Sequence, residues 1–347
     1  MPSMPAFPET MTAVVLDDFG GPDAFRQTTL ETPAPGPGQV LVRVEATSVN
    51  PVDYKIRSGA AATLAPEAPR ILHMDVAGTV AAVGEDVTAF AVGDEVFGCA
   101  GGIAGAEGPL QGALADFMVC DPDLLAPKPE TLSFREAAAL PLVWLTAWEG
   151  LAWTKAAVHD GTRVLVYGGT GGVGHVAVQL AKALGAEVTA TASSREKGEI
   201  ARRLGADHVS DYTEETPEAL AARVTGGEGF DVVFDTIGEQ HLPTAFEAAR
   251  LNGHIVTTTS SDTLDLSPMH QKGLSLHVVF MLLPMLAGVG RQRHGEALRY
   301  AADLVARGQL RPLLDDTRFG LFDAAEAHAR AESGAIVGKV TLARDAS

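Results

Sequence analysis

The run Arg163–Ser194, RVLVYGGTGGVGHVAVQLAKALGAEVTATASS, leaves the chain few choices of fold. Arg163–Tyr167 is short, apolar and β-branched, which reads as a buried strand. A glycine turn follows at once, Gly168-Gly169-Thr170-Gly171-Gly172-Val173-Gly174, with G-x-G-x-x-G in Gly169, Gly171 and Gly174. Apolar residues then recur at helical spacing through Val176, Ala177, Leu180, Ala181 and Leu184, and Gly185 stands where a helix stops. Glu187–Thr191 reads as a second strand. Strand, glycine turn, helix and strand together give the motif its meaning. Gly169 allows a tight exit from the strand, Gly171 lets backbone N–H groups approach a pyrophosphate, and Gly174 lets the helix pack closely on the sheet. The helix N-terminus offers unpaired amides and a positive dipole end to the phosphates. Gly169, Thr170, Gly171, Gly172, Val173 and Gly174 are therefore expected to hold a dinucleotide.

The end of the second strand selects the cofactor. An NAD site places Asp or Glu there, about 20 residues beyond the first glycine, to bond the ribose 2′-hydroxyl. This chain has Thr191-Ala192-Ser193-Ser194-Arg195-Glu196-Lys197. A carboxylate would repel a 2′-phosphate, whereas Ser193, Ser194, Arg195 and Lys197 can bond it with charge assistance. The expected cofactor is NADP(H).

A chain of 347 residues suggests two domains. Its net charge of −18 disfavours nucleic acid and anionic membrane as partners, so a cofactor phosphate must be held by local positive groups. The two cysteines, Cys99 and Cys120, are too few for a disulfide framework or a four-cysteine zinc site, and read as free thiols in a reducing cytoplasm. The start, MPSMPAFPETM, lacks the basic and apolar segments of a signal peptide. No apolar run approaches the ~18 residues of a membrane-spanning helix.

Before the glycine run, short β-rich segments punctuated by glycine suggest an irregular barrel. Met11–Leu16 and Gln39–Val49 are candidate strands, Asn50–Gly59 a short helix started by Pro51, and Ala113–Cys120 a further strand. Ser133-Phe134-Arg135-Glu136 is a capping box. After it, strands are expected at Asp207–Ser210, Phe230–Asp235, Gly253–Thr258 and Ser275–Phe280. The motifs N-P-V-D-Y-K, V-A-G-T-V, V-G-D-E-V and A-A-A-L-P, followed by the G-x-G-x-x-G run, resemble the medium-chain dehydrogenase/reductase superfamily over about residues 11 to 343. The nearest likeness is to its zinc-independent quinone oxidoreductase branch. The resemblance implies an α/β protein: a GroES-like β-rich catalytic domain with an inserted Rossmann cofactor domain, a doubly wound parallel sheet. The expected division is 1–133 and 284–347 for the catalytic domain and 134–283 for the cofactor domain.

Zinc-bearing relatives need a cysteine shortly after the strand that ends near Ser48, where this chain has Asn50-Pro51-Val52-Asp53-Tyr54, the histidine of a G-H-E motif where it has Met74, and a cysteine or acid near Leu140–Thr146. His73 lies one place off, and on an extended segment that shift points it to the opposite face. The expectation is no metal; a site from His73, Asp53 and Asp75 is the alternative that would make the chain a zinc alcohol dehydrogenase with atypical ligands. A non-catalytic NADPH-binding sensor or structural protein is the other. Without a metal, hydride transfer must be supported by orientation and hydrogen-bond donors, which suits a quinone or an α,β-unsaturated carbonyl. The resemblance places Asn50, Tyr54 and Thr146 near the nicotinamide as catalytic candidates, with Tyr54 the best proton donor by chemistry; a tyrosine merely packed there and bonded to a carbonyl is the plain alternative. It also implies cofactor contacts at Tyr212, Thr236, Gly238, Thr258, Ser260, Phe280, Met281 and Lys339. Ser275–Phe280 is apolar for a sheet edge, and the resemblance implies a homodimer joined through that edge.

Overall fold

The computed structural model describes residues 7–106, 108, 110–153, 155–259 and 263–344, with Glu239 by its backbone alone. They divide into two compact units: one holds the chain up to Leu142, Leu282–Ala306 and everything from Leu314, the other Val143–Met281 and Arg307–Leu313.

The first unit begins with an antiparallel pair, β1 (Thr10–Leu16) and β2 (Phe25–Glu31), in register from Thr10 opposite Glu31 to Leu16 opposite Phe25. Then come β3 (Val40–Ser48), α1 (Pro51–Arg57), β4 (Asp75–Val83), β5 (Glu95–Cys99), β6 (Phe117–Cys120), β7 (Leu125–Pro127) and α2 (Phe134–Ala138). Alternation in β3 aims Val40, Val42 and Val44 into the interior while Arg43 stays exposed. Ser133 caps α2 by accepting from the Glu136 amide at 3.3 Å, and the Glu136 carboxylate accepts from the Ser133 amide at 2.9 Å. β6 is shorter than the expected Ala113–Cys120. Ala113 and Leu114 spend their amides on the carbonyls of His73 and Leu72 instead of on a strand ladder.

The second unit is reached through α3 (Pro141–Trp148), which continues as one π-helical turn, Glu149–Trp153. Strand and helix then alternate: β8 (Arg163–Tyr167), α4 (Gly172–Ala183), β9 (Glu187–Ala192), α5 (Arg195–Arg203), β10 (His208–Asp211), α6 (Pro217–Thr225), β11 (Phe230–Asp235), α7 (Leu242–Ala248), β12 (Ala249–Thr257), α8 (Ser267–Lys272) and β13 (Ser275–Val278). The sheet is parallel, in the order β10-β9-β8-β11-β12-β13. Leu165, Phe230, Val233, Phe246 and Ile255 are at 0% exposure in one apolar cluster. Each such side chain contributes about 1.5–3 kcal/mol by leaving water. The order reverses between β8 and β11, and open α/β sheets bind ligands beyond the strand ends at that reversal. The glycine run leaves β8 there.

The chain returns to the first unit with α9 (Leu283–Ala287), α10 (Gln292–Ala306), β14 (Phe319–Gly320), α11 (Ala324–Glu332) and β15 (Thr341–Ala343), completing a sheet ordered β14-β15-β3-β4-β5-β7, with β6 on β3. Two fully buried histidines tie α11 to the segment just ahead of β4. His73 Nε2 and His328 Nε2 lie 2.9 Å apart, the rings stacked with centroids at 5.1 Å. Thr47 donates its hydroxyl to the Asp75 carbonyl, so it can only accept from His73 Nδ1. His73 therefore carries its proton on Nδ1, and His328 donates from Nε2, leaving its buried Nδ1 without a partner among the described residues. His73 does not lie on an extended segment: its backbone is left-handed, φ 72°. Burial, with His328 and then Lys339 adding, holds His73 well below the ordinary histidine range, and burial, with Arg57 adding, pushes His328 down to about 3. Both groups are depressed, so the unfolded chain binds more protons and stability falls as pH drops below about 6.5, by up to ~1.4 kcal/mol per pH unit for each histidine. Denaturant melts between pH 7 and 4.5 check this; His328→Gln is expected to flatten the dependence.

Candidate active site

In the second unit, the glycine turn is built by its own backbone. Gly168 adopts φ 70° and donates to Thr191 Oγ1 at 3.0 Å; Gly169 donates to the Thr191 carbonyl at 3.1 Å. This pins the turn to β9. Gly171 is the N-cap of α4, and the amides of Gly172, Val173 and Gly174 are the unpaired first-turn donors. A Cβ on Gly174 would lie 2.0 Å from the Gly168 carbonyl oxygen, and one on Gly169 2.7 Å from Ala190 Cβ. A Cβ on Gly171 would meet only the Gly168 oxygen, at 3.3 Å, and Gly171 is exposed. The first two glycines fit the chain to itself; Gly171 keeps a surface clear. That cradle fits a pyrophosphate. Thr170 is buried, Gly172 and Val173 half-buried.

At the end of β9, Ser194 caps α5 by accepting from the Lys197 amide at 3.3 Å. Ser193 and Arg195 are exposed and Lys197 half-buried; the two cations make no ion pair among the described residues. Tyr212, 53% exposed, follows β10, its amide bonded to the Ala192 carbonyl. Between these strand ends lies a cavity of about 210 Å³ lined by Tyr167, Thr191, Ser210, Tyr212 and His241, among others. Sequence reasoning passed over Tyr167 and His241. The ring of His241 stands edge-on to Tyr167 and bonds Asp235 Oδ1 at 3.1 Å. Buried Asp235 also accepts from the amides of Ile237 and Gly238, fixing the turn that carries Thr236 and Gly238. Thr236 gives its hydroxyl proton to the Tyr167 carbonyl, and Thr258 is half-buried at the end of β12. Ser260 lies outside the described residues. Phe280 is 41% exposed and Met281 buried, just beyond β13; Thr146 is buried in α3. A larger cavity, about 410 Å³, opens among Lys182, Arg203 and Arg311 at the C-terminal ends of α4 and α5. Cations there complement the negative helix ends, and the site lies away from the carboxyl ends of the strands.

The first unit contains a buried ionic knot that no local motif announces. Asn50, the N-cap of α1, donates its amide N–H to Asp53 Oδ2 at 2.7 Å and its side-chain NH₂ to Asp75 Oδ2 at 2.8 Å. Ser48 donates to the same oxygen at 2.6 Å, and the Leu142 amide to Asp75 Oδ1 at 2.8 Å. Lys339, 3% exposed, donates to the Val49 carbonyl at 2.8 Å and to Asn50 Oδ1, with Asp75 Oδ2 at 3.8 Å. Burial pushes Asp53 up to about 7, with Asp75 adding to the push. Burial also raises Asp75 and lowers Lys339, each opposed by the other's charge. Among the described residues the Lys339 ammonium is the one cation beside these two buried carboxyl groups. Tyr54 is half-buried on α1; burial, then Glu332 and Asp53, raise its hydroxyl, which therefore stays protonated. The positions where zinc would need ligands fit it poorly. Asn50 is fully engaged, Met74 is packed at 0% exposure, and both Asp75 oxygens are taken. Among the described residues no group of three His, Cys, Asp or Glu could hold a metal. No helix is long and apolar enough to cross a membrane.

Two family models match: an alcohol dehydrogenase GroES-like domain over residues 36–130 and a zinc-binding dehydrogenase domain over 172–289. A 2-methylene-furan-3-one reductase of Solanum lycopersicum is 34% identical over 341 residues, 97% of this chain and 80% of that protein. The crystal structure of an alcohol dehydrogenase superfamily protein from Novosphingobium aromaticivorans matches with TM-score 0.90 and 44% identity, covering 96% of this chain and 99% of that one. Escherichia coli quinone oxidoreductase complexed with NADPH matches with TM-score 0.82 and 27% identity, covering 96% and 99%. The chain belongs to the medium-chain dehydrogenase/reductase superfamily, in its quinone oxidoreductase-like branch.

Proposed function

We propose that the protein is an NADPH-dependent, zinc-independent reductase of quinones or α,β-unsaturated carbonyls. The observation that carries the reading is the end of β9, where Ser193, Arg195 and Lys197 stand with no acid at the ribose position. The amides of Gly172–Gly174 would hold the pyrophosphate, the β9 cations and Tyr212 the 2′-phosphate, and the Tyr167–His241 cavity the base. Thr236, Gly238, Thr258, Ser260, Phe280 and Met281 would serve the nicotinamide half. Bound there, NADPH supplies a hydride. The chain's own task is to orient the acceptor and stabilise charge developing on its oxygen. Tyr54, with its proton retained, and Thr146 supply hydroxyl donors, and Asn50 is held by Lys339 and Asp75. A conjugated acceptor needs no Lewis acid, because its charge spreads to a remote oxygen. A homodimer through β13 and a reducing, cytoplasmic setting complete the proposal; both cysteines are free and buried.

Purified protein is mixed with NADPH or NADH and a panel of quinones and enones, and loss of reduced-nicotinamide absorbance is followed. The expected result is turnover with a KM for NADPH about tenfold or more below that for NADH, as one charge-assisted contact of ~1.5–3 kcal/mol would give. The preference should collapse in Arg195→Ala/Lys197→Ala. Tighter NADH refutes the cofactor assignment. Tight NADPH binding without turnover across the panel would favour a non-catalytic role.

A further inference from the structure

Strand β13 forms one edge of the parallel sheet. Val279 donates inward to the Thr257 carbonyl at 2.8 Å, so alternation turns the Val278 carbonyl and the Phe280 amide outward. An exposed edge presents such groups to solvent or to another strand. Here an internal ion pair takes both. Lys155 Nζ donates to the Val278 carbonyl, Glu149 Oε1 accepts from the Phe280 amide at 3.3 Å, and the two side chains meet at 2.8 Å. Both come from the π-helical turn after α3 and the loop just beyond it, and such turns gather at functional sites. Glu149 is 8% exposed. Gly150 lets the turn sit directly on the sheet: a Cβ there would lie 2.8 Å from Val256 and 3.3 Å from Phe234 and Val279. Held at these two points, the chain leaves the ladder, exposing Phe280 and burying Met281. The strand ends at Val278, not at the expected Phe280, and the outward-facing Phe280 amide is taken by Glu149.

We propose that Glu149 and Lys155 are a positioning pair that fixes the backbone from Val278 to Phe280 and so sets how Phe280 and Met281 meet the nicotinamide end of the cofactor. This rests on the reading above in which those two residues face NADPH. Hydrogen exchange of the 278–281 amides and steady-state kinetics are measured on the full-length wild type, Glu149→Ala, Glu149→Gln and Lys155→Met. Glu149→Ala should speed exchange at Phe280 about tenfold and raise the KM for NADPH about tenfold, with the quinone KM within twofold. Glu149→Gln keeps an acceptor for the Phe280 amide and should stay within threefold of wild type in both. Lys155→Met should fall between them. Unchanged exchange at Phe280 in Glu149→Ala overturns the proposal, as does equal loss in the Ala and Gln variants. If Glu149→Ala does not fold, wild-type values in Lys155→Met overturn it, and intermediate ones support it. A wild type that does not bind NADPH refutes the cofactor reading instead, and leaves the exchange result to judge the clasp.

Discussion

Gly171→Ala should fold as the wild type does and bind NADPH about a hundredfold more weakly, a loss of ~2.7 kcal/mol. The added methyl finds room in the protein, meeting only the Gly168 oxygen at 3.3 Å. Its cost to stability is at most ~1 kcal/mol, since alanine is a poorer N-cap than glycine. The methyl would project over the first-turn amides, where the pyrophosphate is proposed to lie. Gly174→Ala should behave in the opposite way. Its Cβ would come within 2.0 Å of a backbone oxygen that cannot move without unpinning the turn from Thr191. It should destabilise by ~3 kcal/mol or more. Thermal melts and fluorescence titration with NADPH separate the two outcomes. Equal affinity in Gly171→Ala and wild type would remove the glycine turn from the binding site.

Lys339→Met should cost ~3–5 kcal/mol of stability, the range for leaving a buried partner charge uncompensated. The side chains are similar in length, so packing changes little. What is lost is the only ammonium beside Asp75 and Asp53 among the described residues, both at 0% exposure. Adding Asp75→Asn should recover part of the loss, because the amide needs no counter-charge. Chemical denaturation of the four members of the cycle gives the coupling. A Lys339→Met single variant as stable as wild type would mean that Asp75 carries no charge in the folded protein, and the ionic account of the knot would be wrong.

How much of this was legible in the sequence follows from the range over which each interaction acts. β8 and β11 run over Arg163–Tyr167 and Phe230–Asp235, as short apolar, β-branched runs predict. The Ser133 cap is read correctly because cap and partner are three residues apart. Boundaries shift where a backbone amide finds a distant partner. β12 begins at Ala249, ahead of the expected Gly253, because it pairs with Phe230 before the register shifts. Ala113 and Leu114 are drawn to the His73 segment. His73 could be placed by its neighbours in sequence, but its partner is 255 residues away, and its left-handed backbone contradicts the extended segment that the pattern suggested.

The glycine turn is different in kind. Strand, turn and helix there are set by steric limits within a few residues, by which positions tolerate a Cβ and which amides a helix start leaves free. The sequence by itself therefore determined the strand, glycine turn and helix that follow one another from Arg163, while the strand order of the folded sheet placed that turn at its switch point. Only the tertiary structure decided which partner each buried polar group would have: Lys339 for Asp75, His328 for His73, Glu149 for the Phe280 amide. Burial makes such pairings strong, and burial depends on what the whole chain brings together.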